Sequence, residues 1–157
     1  MMQPDGPPIR FSSDFLFEKI NRLKLIEMPV GIACLLCSAL CFPNADVQQC
    51  SSEVHSFTQL FTAIPVVAVT LLCTVILTVC HCLDVPNAYY RFNFPQMEKL
   101  LSTLSCALYA VATIMLFIYL WTIPFVVLWL LEMALLVFAF AVYGYEAYQR
   151  WFNEYLV

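Results

Sequence analysis

Charged residues are scarce in this sequence of 157 residues. They make up 11% of the chain, about half of the roughly 25% that is usual for soluble domains. Hydrophobic residues make up 62%. So few charged side chains could not cover a water-exposed surface around that much apolar material. The composition therefore argues against a soluble enzyme and indicates that lipid surrounds most of the chain.

Glycine and basic residues are also few. Three glycines are too few for the Gly-rich loops that cradle phosphate groups. Seven Lys and Arg against eleven Asp and Glu leave no basic surface that could neutralise nucleic-acid phosphates. We therefore expect no nucleic-acid partner and no phosphate-bearing cofactor.

Long apolar runs are what the sequence has instead. A membrane-spanning helix needs about 20 mostly apolar residues, and the sequence predicts four such spans, at 25–42, 57–79, 100–121 and 123–145. The last two form one continuous run, which we divide at Trp121–Pro124 because proline opens a helix more readily than it continues one. The resulting organisation is a four-span domain between an N-terminal segment with a stretch suited to an interfacial helix and a short tail, at 25–145, 1–24 and 146–157.

The basic residues predict the orientation, because cytoplasmic loops carry an excess of Lys and Arg. Four spans place all seven on one side: four before the first span, two between the second and third, and one after the fourth. We therefore predict an all-α integral membrane protein, an antiparallel four-helix bundle with both termini in the cytoplasm. We expect it in the plasma membrane or in endomembrane vesicles.

Small residues at helical spacing predict how the spans pack. In lipid, small side chains let helix backbones approach closely, and hydroxyl groups can bond across helices. Such residues recur on one face of the second, third and fourth spans. The positions that we expect at helix contacts are Thr70, Thr74, Thr78, Ser102, Cys106, Ala110, Ala139 and Gly144.

Glu132 is the one charged residue deep within a predicted span. An ionisable group there is costly and points by default to a functional site, such as a proton relay or a substrate contact. The structural alternative is a carboxyl group that forms a hydrogen bond with a Ser, Thr or Tyr hydroxyl on another helix. The absence of an intramembrane basic partner in the sequence favours this alternative.

Four of the eight cysteines suggest redox chemistry. Cys34 and Cys37 form a C-x-x-C motif of the kind that membrane thiol oxidoreductases use. They also share one helical face with Ser38, and small residues on one face are typical of close helix packing. Cys41 and Cys50 flank the outer loop and could form a disulfide in an oxidising compartment.

Three stretches resemble the MARVEL-domain family of four-span membrane proteins, which includes the myelin-and-lymphocyte, plasmolipin and chemokine-like-factor transmembrane branches. They are Phe17-Glu-Lys-Ile-Asn-Arg-Leu-Lys-Leu-Ile-Glu-Met, Asn93-Phe-Pro-Gln-Met-Glu-Lys-Leu-Leu and Val137-Phe-Ala-Phe-Ala-Val-Tyr-Gly-Tyr-Glu-Ala-Tyr. The similarity covers about Phe15 to Phe152. The short turn before the fourth span departs from the occludin and physin branches, which argues against a role in sealing junctions.

The resemblance implies a non-enzymatic role in membrane organisation, vesicle trafficking, membrane apposition or fusion. Its partners would be membrane lipids and other membrane proteins, including further copies of this chain. Two alternatives remain open on the residues alone: a small transporter or channel centred on Glu132, and a membrane thiol oxidoreductase using Cys34 and Cys37. No catalytic constellation, metal site or cofactor motif is evident in the sequence.

Palmitoylation is expected at Cys80 and Cys82, which follow the second span at its cytoplasmic end, a common position for this modification. Replacing both with Ser should abolish hydroxylamine-sensitive acyl labelling, because the thioester can form only on a thiol. Labelling that persists in the double variant would contradict the assignment. Replacing Cys73, which lies further inside the span, serves as the control.

Overall fold

The computed structural model describes residues 21–40, 54–83, 85, 93–121 and 127–152. Within these residues all regular secondary structure is helical, which confirms the predicted all-α class. The described residues form four long helices: α1 (Arg22–Leu40), α2 (Val54–Cys82), α3 (Phe94–Leu120) and α4 (Val127–Phe152). Each helix covers most of one predicted span.

Three of these helices are long and apolar enough to cross a membrane, by length and composition. The segments are Ala63–Cys82 in α2, Phe94–Ile118 in α3 and Trp129–Phe152 in α4. The predicted first span, 25–42, is occupied by α1 as far as Leu40, and its crossing stays a prediction. At the other end of the chain, α4 continues as one helix beyond the predicted limit at residue 145.

Each helix packs against two of the others. α1 contacts α2 and α4, and α3 contacts the same two helices. The contact between α3 and α4 is the most extensive, as expected from the short connection between them. Each helix buries one stripe of residues three or four apart, which is the spacing of one helical face. On α3 this stripe consists of Glu98, Ser102, Ser105, Tyr109, Ala112 and Leu116.

Polar side chains concentrate inside this fold, and large apolar side chains face outward. Thr70, Thr74 and Ser105 are buried, whereas Leu72 and Ile114 are more than half exposed, at 61% and 58%. A soluble protein distributes these residue types in the opposite way. The distribution is the one expected where lipid is the solvent, since polar groups then face the interior of the helix assembly.

Two hydroxyl pairs connect α2 to α3 and α4 inside the assembly. Thr70 Oγ1 lies 3.1 Å from the hydroxyl oxygen of Tyr109 on α3. Thr74 Oγ1 lies 2.9 Å from that of Tyr143 on α4. The two tyrosine rings stack, with 5.2 Å between their centroids. Thr78 is buried too, and it donates to the carbonyl oxygen of Thr74 at 2.7 Å.

Cys106 contacts α4 within the interface of α3 and α4. Ser102 and Ala139 are buried, and Cys106 and Ala110 are half-buried. A Cβ added to Gly144 would meet the sulfur of Cys106 at 3.5 Å. That distance is an ordinary van der Waals contact, so the space between the two helices here would also admit an alanine.

Tyr143→Phe should lower the free energy of unfolding by about 0.6 kcal/mol, with about 1.7 kcal/mol as the upper end for an interhelical hydrogen bond in a membrane. The cause is the loss of the hydroxyl partner of Thr74. Tyr145→Phe is the matched control, because Tyr145 is 54% exposed on the same helix. Equal effects of the two changes on reversible unfolding in mixed micelles would contradict a role for the Thr74–Tyr143 pair.

Candidate functional site

Ionisable side chains from all four described helices meet in one buried group, which we call the charge cluster. It lies where α1 begins, α2 ends, α3 begins and α4 ends. Its members are Lys24 and Glu27 of α1, His81 of α2, Glu98 of α3, and Glu146 and Arg150 of α4. All are buried except His81, which is half-buried.

Arg150 is at the centre of the charge cluster. Its Nη1 donates to Glu98 Oε2 at 2.5 Å, and its Nε donates to Glu146 Oε1 at 2.9 Å. Its Nη2 lies 2.8 Å from the same Glu146 oxygen and 3.5 Å from Oδ1 of Asn21, just before α1. The planar guanidinium offers five N–H donors in a fixed fork, which suits it to several acceptors at once. A single side chain of α4 thus contacts α3 and the start of α1.

Two further side-chain contacts complete the connections. Lys24 Nζ donates to Glu146 Oε1 at 3.2 Å, which links α1 to α4. Nε2 of His81 contacts Oε1 of Glu98, which links α2 to α3. Because Glu98 also binds Arg150, every described helix contributes an ionisable side chain to the cluster.

Glu27 is the exception to this pairing. Both of its carboxyl oxygens are buried, and among the described residues neither has a hydrogen-bond partner. The residue is 3% exposed, and the charged groups that act on it are Glu146, Lys24 and Arg150. An ionised carboxylate without a donor carries a large desolvation cost at such a site. The arrangement therefore requires some further means of compensating its charge.

Glu132 occupies a separate polar site further along α4. Its Oε1 lies 2.5 Å from Oγ of Ser38 on α1, and Ser38 also contacts the carbonyl oxygen of Cys34 at 3.0 Å. The hydroxyl has one hydrogen, and a protonated Glu132 that donates to Ser38, with Ser38 donating to the carbonyl oxygen of Cys34, satisfies both contacts. The second oxygen of Glu132 is buried and has no partner among the described residues.

The structure describes six of the cysteines, all as free thiols. Cys34 and Cys37 of the C-x-x-C motif are both buried, and Cys34 belongs to the hydrophobic core. Reactive cysteines are usually partly exposed in an electropositive setting, and this environment is the opposite. Cys80 and Cys82 are half-buried. Cys41 and Cys50, and with them the predicted disulfide, lie outside the described residues.

Within the described ranges, no group of three or more His, Cys, Asp or Glu side chains is arranged to hold a metal ion. His81 and Glu98 pair with each other. Cys80 and Cys82 flank this histidine in sequence. The carboxyl, guanidinium, amine and imidazole groups of the charge cluster offer acid–base and electrostatic chemistry.

Most of the charge cluster was not anticipated from the sequence. The sequence indicates Lys24 and Arg150 as topology signals beside the membrane, and the predicted spans leave Glu98 and Glu146 in the flanking segments. The sequence does contain a signal for the charge cluster. The predicted antiparallel order brings the start of α1, the end of α2, the start of α3 and the end of α4 to the same end of the helix bundle. Glu27, Glu98 and Glu146 lie within a few residues of those ends, and the sequence alone gives these carboxyl groups no partner.

No protein-family model, curated protein or solved structure matches this chain. The resemblance to the MARVEL-domain family therefore remains a prediction from the three sequence stretches. The geometry of the described helices is the remaining guide to function.

Arg150→Met should lower the free energy of unfolding by about 3–5 kcal/mol, the usual cost of leaving a buried charge without its partner. The change leaves Glu98 without its α4 partner and Glu146 with Lys24 alone. Arg22→Met is the control, since Arg22 is exposed at the start of α1 and should cost about 1 kcal/mol or less. Similar unfolding curves for the two variants would show that the cluster does not stabilise the fold.

Proposed function

We propose that this chain is a non-enzymatic four-span membrane protein that acts through lateral contacts of its outer surface with lipids and other membrane proteins. Membrane organisation, vesicle trafficking, membrane apposition and fusion are the processes that such contacts serve. The proposed architecture is an antiparallel bundle of the MARVEL type with both termini in the cytoplasm.

The observation that carries the proposal is the division between a paired polar interior and an apolar exterior. Inside, Arg150 binds two carboxylates and Thr74 pairs with Tyr143. Outside, α2 exposes large apolar side chains between Val69 and Val79. They are Val69, Leu72, Val75, Ile76 and Val79. Most interior polar groups hold helices together, so the exterior is the surface available to neighbours in the membrane.

The charge cluster supports the proposed topology. It joins helix ends that alternate between beginning and end along the chain, which is the order that an antiparallel arrangement requires. It also contains Lys24 and Arg150, and cationic residues favour the cytoplasmic face.

The topology has a direct test. Epitope tags at both termini should be accessible only after the plasma membrane is permeabilised, because an even number of spans returns the chain to its starting side. A tag in the 43–56 loop should be accessible without permeabilisation. Tags at the two termini that respond differently would rule out four spans.

A transporter or channel centred on Glu132 remains the second candidate, because one oxygen of this buried carboxyl group has no partner. The geometry gives the thiol oxidoreductase less support, since Cys34 and Cys37 are buried. Glu132→Gln and Cys37→Ser therefore serve as interior variants against which changes of the outer surface can be compared.

Substituting the outer surface should alter the location and neighbours of the protein, whereas the interior variants should not. Paired Trp substitutions at Leu72 and Ile76, both more than half exposed at 61% and 52%, change the α2 surface without filling the interior. Imaging and proximity labelling from the C-terminus are the measurements. A proton or solute flux in liposomes that Glu132→Gln abolishes would instead favour the transporter.

A further inference from the structure

We propose that the charge cluster is a binding site for one proton, which Glu27 holds and shares with Glu146. The site lies between α1 and α4 where these helices pack together. It is independent of the lateral contacts proposed above, because it concerns the interior of the helix assembly.

The first argument is the missing donor. Both oxygens of Glu27 are buried, and no described residue donates a hydrogen bond to either. Glu146 lies beside Glu27 and faces it, and two ionised carboxylates at close range repel each other. A proton on Glu27 converts this contact into a hydrogen bond, with Glu27 donating and Glu146 accepting. One proton thus removes the repulsion and satisfies the buried group.

The second argument is the charge balance within the cluster. Two basic side chains, Lys24 and Arg150, face three carboxyl groups, Glu27, Glu98 and Glu146. Two of these carboxyl groups bind the cations directly, and the third is in excess. A single proton from the surrounding water makes the group neutral, which a buried site favours.

The remaining groups around Glu27 do not replace this proton. Tyr143 of α4 and Tyr109 of α3 lie close enough to Glu27 for its charge to act on them, but their hydroxyl groups pair with Thr74 and Thr70. On α2, His81 contacts Glu98. A proton on this imidazole would balance the total charge, yet it would give Glu27 no donor.

Loss of the proton should weaken the contact between α1 and α4. The ionised Glu27 is then an uncompensated negative charge beside Glu146. Glu146 is the acceptor that binds Lys24 and Arg150. The stability contributed by the protonated form is therefore present at low pH and is lost as the pH rises through the range in which Glu27 ionises. The proton site thereby couples this end of the assembly to the pH of the adjacent water.

The test is infrared spectroscopy of the full-length protein in lipid bilayers, because a protonated carboxyl group has a C=O absorption distinct from that of a carboxylate. We expect the wild-type protein to lose the absorbance of one protonated carboxyl group as the pH is raised. Glu27→Gln should abolish this pH-dependent loss. Glu132→Gln makes the same change at another buried carboxyl group and should retain the pH-dependent loss of absorbance. His81→Gln should retain this loss as well.

A second variant keeps the test decisive if Glu27→Gln does not fold. In Glu146→Gln, Lys24 and Arg150 face only Glu27 and Glu98, so Glu27 should ionise and the pH-dependent absorbance should also disappear. A pH-dependent loss that survives in either cluster variant would overturn the proposal. So would an absorbance that disappears when Na⁺ or K⁺ replaces choline at constant pH, because a metal cation would then occupy the site.

Discussion

The fork of hydrogen bonds from Arg150 to Glu98 and Glu146 is the contact on which the arrangement of the helices depends. Lipid tails are as apolar as Leu side chains, so helices in a membrane gain little from hydrophobic burial against one another. Directional contacts must then determine which helix faces pack together and in what axial register. Arg150 fixes α3 against α4, and Lys24 attaches α1 to the same carboxylate.

The buried polar groups change from charged to neutral along the helices. Full charges occur at the end where α1 begins and α4 ends, and neutral hydroxyl pairs follow further along, at Thr74–Tyr143 and Thr70–Tyr109. Glu132 lies about 21 Å from Glu146 along α4, since each helical residue adds about 1.5 Å. There its partner is the hydroxyl group of Ser38 rather than a cation. The gradient is physically consistent, because unpaired charge becomes more costly with distance from water.

The helices and their approximate limits could be predicted from the sequence because both follow from the length of each apolar run. The end of α4 could not. Glu146 and Arg150 lower the hydropathy beyond Tyr145, and a property averaged along the chain does not include the partners that compensate their charges. Those partners, Glu98 and Lys24, are distant in sequence. The interior positions of Tyr109 and Tyr143 do not follow from the sequence for a related reason: tyrosine is usual at membrane interfaces, and only their contacts with α2 identify them as interior residues.

The charge cluster also raises the question of why buried ions occur where apolar residues would be as stable. Burying an ion pair costs desolvation, and apolar replacements in soluble proteins are often neutral or better. In lipid that replacement loses specificity, because an apolar helix end is equally well covered by an acyl chain. The carboxylate of Glu146 forms an ion pair with Lys24, and an acyl chain cannot replace this contact. The cluster thus selects which helix ends associate, and it does so at the end of the fold where water can supply the exchangeable proton.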